Sequence, residues 1–515
     1  MRGHTLAFVG PSMLSVTLCA PAGAAEFTVN QLADETDSQP GDGACASSSG
    51  LCSLRAAIQE ANALPGADRI VVPGGIYRLT IGGTGEELSA TGDLNVTDGV
   101  TIVGAGAGET IIDGGAMDRV IAFSLGGPDA SAEISGVTIR NGLSRGGGAG
   151  IVSSGLNDIL SPAPRVTLRN VVLTGNATLA AGGAIANVSL SDMILVGVTI
   201  ADNWAREGGG GISNEAATMT IVASLVTRNS TAGVGGGIAT FADRLTTGRV
   251  DVVYSTISDN EAASDGGGIS SGGDLRLLNT TVSGNSTEER GGGIHAVPLS
   301  TVLILNSTIT DNSAQATGGG IHNFESTSDK FKVGNSIVGS NRFGGDCGES
   351  TVVSLGHNLD GDGSCGLGKP TDLSRVNPML GLLGYHGGPT PTHLLLPFSP
   401  GVDRIPPESC IQTDQRGKPR SVDGNGDGVV RCDIGAVEYQ AREPDSCNLN
   451  GNGIVDRDDH VQWFLGCRAG TSRWLCDVDG NGFFELADLV AHIMICARLP
   501  QSDSQRMAEE IENGN

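Results

Sequence analysis

Aromatic side chains are scarce in this chain: 11 Phe, 4 Tyr and 3 Trp among 515 residues. A large core of interlocking rings is therefore not available, and the apolar interior must be built from Ile, Val, Leu and Ala. Positive charge is also scarce, with 31 Lys and Arg against 57 Asp and Glu. A net charge of −26 argues against nucleic acid and anionic membrane surfaces and in favour of cations as partners. Proline is only 20, and glycine does not recur in threes, which excludes collagen. Beyond the first two dozen residues no apolar run approaches the ~18 residues of a membrane span. No CxxC and no Cys/His pair at metal-ligand spacing occurs.

Glycine is abundant instead, at 80 residues, about twice the ordinary share. With 39% hydrophobic residues the chain is no disordered acidic tail. Residues 1–24 have the pattern of an export signal: Arg2 and His4, an apolar stretch from Leu6 to Leu18, then the small residues Ala22-Gly23-Ala24. Of 11 Cys, Cys19 falls in this leader, and ten remain in local clusters. An even number in an exported chain suits disulfides, with zinc as the rival reading. Cys45–Cys52, Cys347–Cys365 and Cys410–Cys432 are the natural local pairs, while Cys447, Cys467, Cys476 and Cys496 leave three connectivities open.

Self-similarity dominates residues 131–345. A short alternating strand ends in Asn at 176, 203, 229, 260, 285 and 312, and a Gly cluster then leads to Ile185, Ile212, Ile238, Ile269, Ile294 and Ile321. The Ile are 27, 26, 31, 25 and 27 residues apart. That period suits one coil of a three-sided parallel solenoid, each coil burying its apolar face only against its neighbours. Stacking predicts an Asn ladder that Asn341 extends, with Gly at the tight corners. These residues resemble the right-handed parallel β-helix proteins of the pectin-lyase-like superfamily. The expected fold is therefore all-β, a right-handed parallel β-helix followed by a small α-helical module.

Two flanking segments add to the resemblance. Cys52-Ser53-Leu54-Arg55-Ala56-Ala57-Ile58-Gln59-Glu60-Ala61-Asn62 resembles the CSLREA motif of secreted bacterial β-helices. Leu54, Ile58 and Ala61 share one helical face, so a short helix is expected to cap the first coil. Further on, Ser354-Leu355-Gly356-His357-Asn358-Leu359, Gly387-Gly388-Pro389-Thr390-Pro391-Thr392-His393 and Cys432-Asp433-Ile434-Gly435-Ala436-Val437-Glu438 resemble the choice-of-anchor Q region. That resemblance implies closure of the helix ahead of an attachment module.

Residues 447–496 hold two units, each opening and closing on Cys, with oxygen-bearing side chains at loop places 1, 3, 5, 9 and 12 and Gly at 6. They are Asn448, Asn450, Asn452, Asp456 and Asp459 in the first loop, and Asp477, Asp479, Asn481, Glu485 and Asp488 in the second. Ca2+ takes several hard oxygens at once, and the second loop, richer in carboxylates, is expected to bind it more tightly. A helix should follow each loop. The pair resembles a dockerin, an EF-hand-like module, which implies a cohesin-like or other cell-surface protein as partner. Asp423-Gly424-Asn425-Gly426-Asp427-Gly428 repeats the first half of the loop pattern but reaches Ile434 at the twelfth place, leaving calcium and a polar turn both open.

The expected organisation is a signal peptide (1–24), a cap and first coils (25–130), repeats (131–345), closing coils (346–440), a linker (441–446), the dockerin-like module (447–499) and an acidic tail (500–515). For catalysis the candidates are Glu207, Asp265 and Arg290, which precede Gly clusters, and His295 and His322, which follow the buried Ile and should stack outward. The residues before the ladder Asn, including Asp202, Arg228 and Asp259, alternate in sign and read as a stabilising column rather than a metal site. Trp204 is the one Trp in the repeats, a thin platform for sugar stacking. The expectation is a secreted or cell-surface bacterial rod that binds calcium and adheres through its terminal module. The alternative is a calcium-assisted lyase or glycosidase acting on an extracellular acidic polysaccharide.

Overall fold

The computed structural model describes residues 24–440, apart from 126–130, 156–163, 243–245, 299, 325–328, 349–351 and 397–398, together with His460. Residues 1–23 of the signal peptide, the acidic tail and every calcium-loop residue from Asn448 to Asp459 and from Asp477 to Asp488 lie outside the described residues.

The repeats fold because their apolar residues alternate over very short runs. One coil shows the plan: Asp192–Val196, Thr199–Ala201, Trp204–Ala205 and Ile212–Glu215 are its four strands. Each pairs in parallel with its counterpart one coil on, giving four sheets, called here sheets 1 to 4 in coil order, of 12, 12, 7 and 9 strands. The chain is a parallel β-helix. Its cross-section carries a fourth side beyond the three expected, because the two-residue strands of sheet 3 form a face of their own between the Asn corner and the Gly corner.

Register places like on like. Ile185, Ile212, Ile238, Ile269, Ile294 and Ile321 pair in sequence along sheet 4, and all are buried. Full burial of each such side chain contributes about 1.5–3 kcal/mol. The Gly corner is needed for the approach of neighbouring coils. Gly209 has φ +61°, and a Cβ there would collide with the Ile212 carbonyl, while one on Gly210 would strike the Gly236 carbonyl of the next coil.

Two polar ladders run up the corners. The amide Nδ2 of Asn176, Asn203, Asn229, Asn260, Asn285 and Asn312 each donates to the Oδ1 of the next Asn at 2.9–3.0 Å. The last member, Asn341, donates to Asp346 at 2.8 Å. At the bend between sheets 1 and 2 hydroxyls accept backbone N–H groups: Ser224 from Val198, Ser255 from Ser224, Ser307 from Thr280 and Ser336 from Ser307. This ladder also ends on a carboxylate, through Asn358 to Asp372.

A helix closes the first end. The helix Leu54–Ala63 packs against the first coils, with Leu54, Ile58 and Ala61 buried. Ser53 caps it, accepting the Ala56 N–H. Coil strands continue to Leu373–Ser374. Residues 376–440 then double back along the outside of sheet 2 as a strap with only isolated antiparallel bridges. His393 Nε2 meets the Ser283 hydroxyl at 2.8 Å, Gln415 Oε1 accepts from Thr281, Arg420 donates to Asn279, and Ala436 N–H donates to Thr308. Thr256, Thr281, Ser283 and Thr308 point away from the solenoid core yet are buried, because the strap covers them. Three disulfides form, Cys45–Cys52, Cys347–Cys365 and Cys410–Cys432, as local pairing anticipates. Among the described residues no helix is long and apolar enough to cross a membrane.

Candidate functional site

The polar residues of the capping helix do more than close the solenoid. Arg55 is fully buried and pairs with Asp34 at 2.6 Å. Its guanidinium also donates to the carbonyls of Ser89, Gly92 and Asp93. Gln59 donates to the Leu88 carbonyl, and Asn62 bridges the Asn95 carbonyl and the Thr97 N–H. The segment 84–97 is thereby fixed by side chains from one helix.

That segment forms a wall of a groove of about 950 Å³ on the outer face of the first coils. Its floor is the outward side of sheet 4: Asn95, Ala122, Ser124, Val152 and Ser154. Glu86 and Glu87 line it from the braced segment, and Met117, Leu143, Arg145 and Leu179 from the turns and sheet 3. Asp93 and Asp118 add carboxylates, and Arg119 a guanidinium. Arg119 binds Asp93 at 3.1 Å and the carbonyls of Gly147 and Gly148. Burial pushes the Asp93 carboxyl above the usual carboxylate range, and Arg119 draws it back. Such a groove offers hydroxyls, amide and carboxylates as hydrogen-bond partners beside apolar side chains, on strands, the braced segment and the turns between them. Sequence reasoning missed it because its residues come from the irregular first coils. Arg55 and Asn62 in the CSLREA-like motif were the available signal.

The predicted catalytic residues meet only in part. Arg290 grips Asp265 through two bonds of 3.0 and 3.1 Å and lies over the Phe324 ring at 5.4 Å. His295 Nε2 is 3.8 Å from Asp265, and the His295 and His322 rings stack at 5.1 Å, 5° from parallel. Glu207 is exposed and stays apart, following the Trp204–Ala205 strand two rungs before the Glu261–Ala262 strand that precedes Asp265. The histidines do not point into solvent as expected. They do stack on the outward side of sheet 4, in the column of Ala122, Val152, Ala186, Ser213, Ala239 and Ser270, but they are covered there, at 2% and 7% exposed. Burial pushes the His295 imidazole down to about 4, against the pull of Asp265. Equivalent nitrogens of parallel rings 5.1 Å apart are farther apart than the ~4.2 Å that two zinc–nitrogen bonds span. Arg290 and Asp265 pair with each other, while the stacked imidazoles are buried and His295 Nδ1 lacks a hydrogen-bond partner among the described residues.

A second group went unread in the sequence. One oxygen each of Asp346, Asp360 and Asp362 lies within 4.8 Å of the others, a set that could hold a cation. Every oxygen already accepts a backbone N–H: Asp346 from Asn341 and Asp362, Asp360 from Gly363 and Cys365, Asp362 from Ser364 and Asp346. Burial and the neighbouring Asp362 push Asp346 up to about 7. In Asp423–Gly428 the Asp423 carboxylate accepts the N–H of Gly426 and of Gly428, the hydrogen bonding of a polar turn.

No protein-family model matches the sequence, and no curated protein matches it. Among solved structures the chain is similar to ORF18 of Geobacillus virus E2, at 12% identity and TM-score 0.34, covering 58% of this chain and 56% of that one. The chain thus spans little more than half the length of that protein. It is also similar to the A-module of the mannuronan C-5 epimerase AlgE4 of Azotobacter vinelandii, at 13% identity and TM-score 0.28, covering 68% and 99%. Identities this low speak to fold alone.

Proposed function

We propose that this chain is an exported, surface-held bacterial rod that binds an extracellular polysaccharide in the groove over its first coils. The calcium loops of residues 447–499 attach it, with a cohesin-like or other surface protein as partner. The observation that carries the reading is the groove itself: an open, polar recess on rigid strands, walled by a segment that a buried Arg55 holds in place. Of the other polar clusters, His295 and His322 are buried, and the oxygens around Asp346 are taken by backbone N–H groups.

Purified, calcium-loaded protein should bind a subset of a glycan panel, and Val152→Trp, which fills the groove from its floor, should abolish that binding with the circular dichroism spectrum unchanged. Absence of binding across the panel, or full binding by the Trp variant, contradicts the reading. The attachment half predicts a calcium-specific rise in Tm of the C-terminal module, and no response beyond that to magnesium contradicts it.

One observation favours a second reading, a polysaccharide-modifying enzyme. Asp93 lies in the groove with its carboxyl raised by burial beside Arg119, a pairing suited to proton transfer. New reducing ends, unsaturated products or inverted sugar centres that Asp93→Asn abolishes would establish it.

A further inference from the structure

We infer that the glycan of this groove is an uncharged chain, and that it leaves the groove across sheet 3 to stack on Trp204; the inference rests on reading the groove as a glycan site. Charge is the first argument. The groove is lined by four carboxylates, Glu86, Glu87, Asp93 and Asp118, against two guanidinium groups, and Arg119 is already engaged by Asp93. The whole chain carries −26. A polyuronate would meet repulsion on approach and in the groove. Uncharged hydroxyls meet acceptors instead, in the carboxylates and in Asn95, Ser124 and Ser154.

The second argument is the path. Leu143, Ala177 and Trp204 occupy equivalent positions on three consecutive rungs of sheet 3. Leu143 lines the groove, and so does the exposed Leu179, on the same rung as Ala177. Trp204 is 37% exposed, and the residue between it and Leu143 in this column is the small Ala177. Sugar rings present apolar C–H faces and polar edges, so a row of exposed apolar side chains ending in an indole, beside a carboxylate-lined trough, matches both surfaces of one chain. Arg145 and Arg206 are exposed beside this path and are the groups that a polyanion would use.

The test uses the full calcium-loaded protein with oligosaccharides of a neutral hexosan and of a polyuronate. Binding is read by calorimetry and by tryptophan fluorescence, with Trp204→Phe removing the signal of Trp204 from that of Trp463 and Trp474. The neutral chain should bind, perturb the Trp204 emission and keep its affinity between about 50 and 500 mM salt. Trp204→Ala should weaken it roughly tenfold. Arg206→Gln, on a residue outside the groove lining, should change it less than about twofold. Preference for the polyuronate, with salt-sensitive affinity that Arg206→Gln weakens, overturns the inference while leaving the groove a glycan site. Neutral binding indifferent to Trp204 overturns the path. No binding by either polymer overturns the groove reading itself.

Discussion

Asn260 shows what a single position carries in this solenoid. Its Oδ1 accepts both the Nδ2 and the backbone N–H of Asn229, and its Nδ2 donates to Asn285 and to the Val226 carbonyl. Asn260→Ala leaves several buried groups without partners and should cost about 3 kcal/mol in urea denaturation. Arg228→Gln, which breaks an exposed pair with Asp202 on the same coils, should cost at most about 1 kcal/mol. Equal losses would refute the ladder as a main source of stability. At the ladder's end, Asp346 is held up to about 7 from an ordinary 3.8. The native state then keeps a proton that the unfolded chain has released, so this group's contribution falls as pH rises from about 4 to 7. Asp433, up to about 7, and Glu438, up to about 9, act in the same sense, both raised first by burial. His295, held down to about 4 from 6.5, acts oppositely and costs stability as pH falls below 6.5. Asp346→Asn should flatten part of the decline of Tm between pH 5 and 7, and an unchanged slope would remove Asp346 from the account.

At the scale of elements, two connections control the molecule. Arg55 joins the capping helix to the groove wall, and Arg55→Ala leaves Asp34 buried without its guanidinium. A loss of about 3–5 kcal/mol is expected, with increased hydrogen exchange at residues 84–97. Exchange confined to other segments would separate the helix from the groove. The strap is held by His393, whose Nδ1 is 2.7 Å from the Gly381 carbonyl, so that Nε2 is free to accept the Ser283 hydroxyl. His393→Ala should let a protease nick residues 376–396 much sooner while the coils survive, as mass spectrometry of the fragments would show. The repeats and the capping helix were legible because their signals are local: a period near 27, Gly before Ile, and three apolar residues on one helical face. The groove was not, because Glu86, Met117, Leu143 and Leu179 belong to different coils and only the fold collects them. The histidine pair was placed on the right rungs but given the wrong surroundings, since alternation along a strand cannot tell an open face from a covered one. The hydroxyl ladder and the strap lacked a local signal of their own, although Thr390 to His393 and Cys432 to Glu438 turn out to be its contact points.

For the whole molecule, scarcity of aromatics and excess of acid acquire separate meanings. The solenoid core takes Ile and Val in register, with Phe27, Phe123 and Phe331 as buried rings among them. The one Trp of the repeats is outside, next to the groove, where a binding surface has use for it. The acidic excess makes the rod a poor partner for polyanions and leaves carboxylates for sugar hydroxyls in the groove and, in our proposal, for calcium at residues 477–488. The central claim is that the rod binds its glycan without altering it. The most direct measurement is to saturate the calcium-loaded protein with an oligosaccharide that it retains, incubate, and follow the bound sugar by NMR. The account predicts saturable binding with every anomeric and ring signal unchanged. Cleaved, unsaturated or epimerised sugar, absent with Asp93→Asn, would contradict it and make the groove an active site.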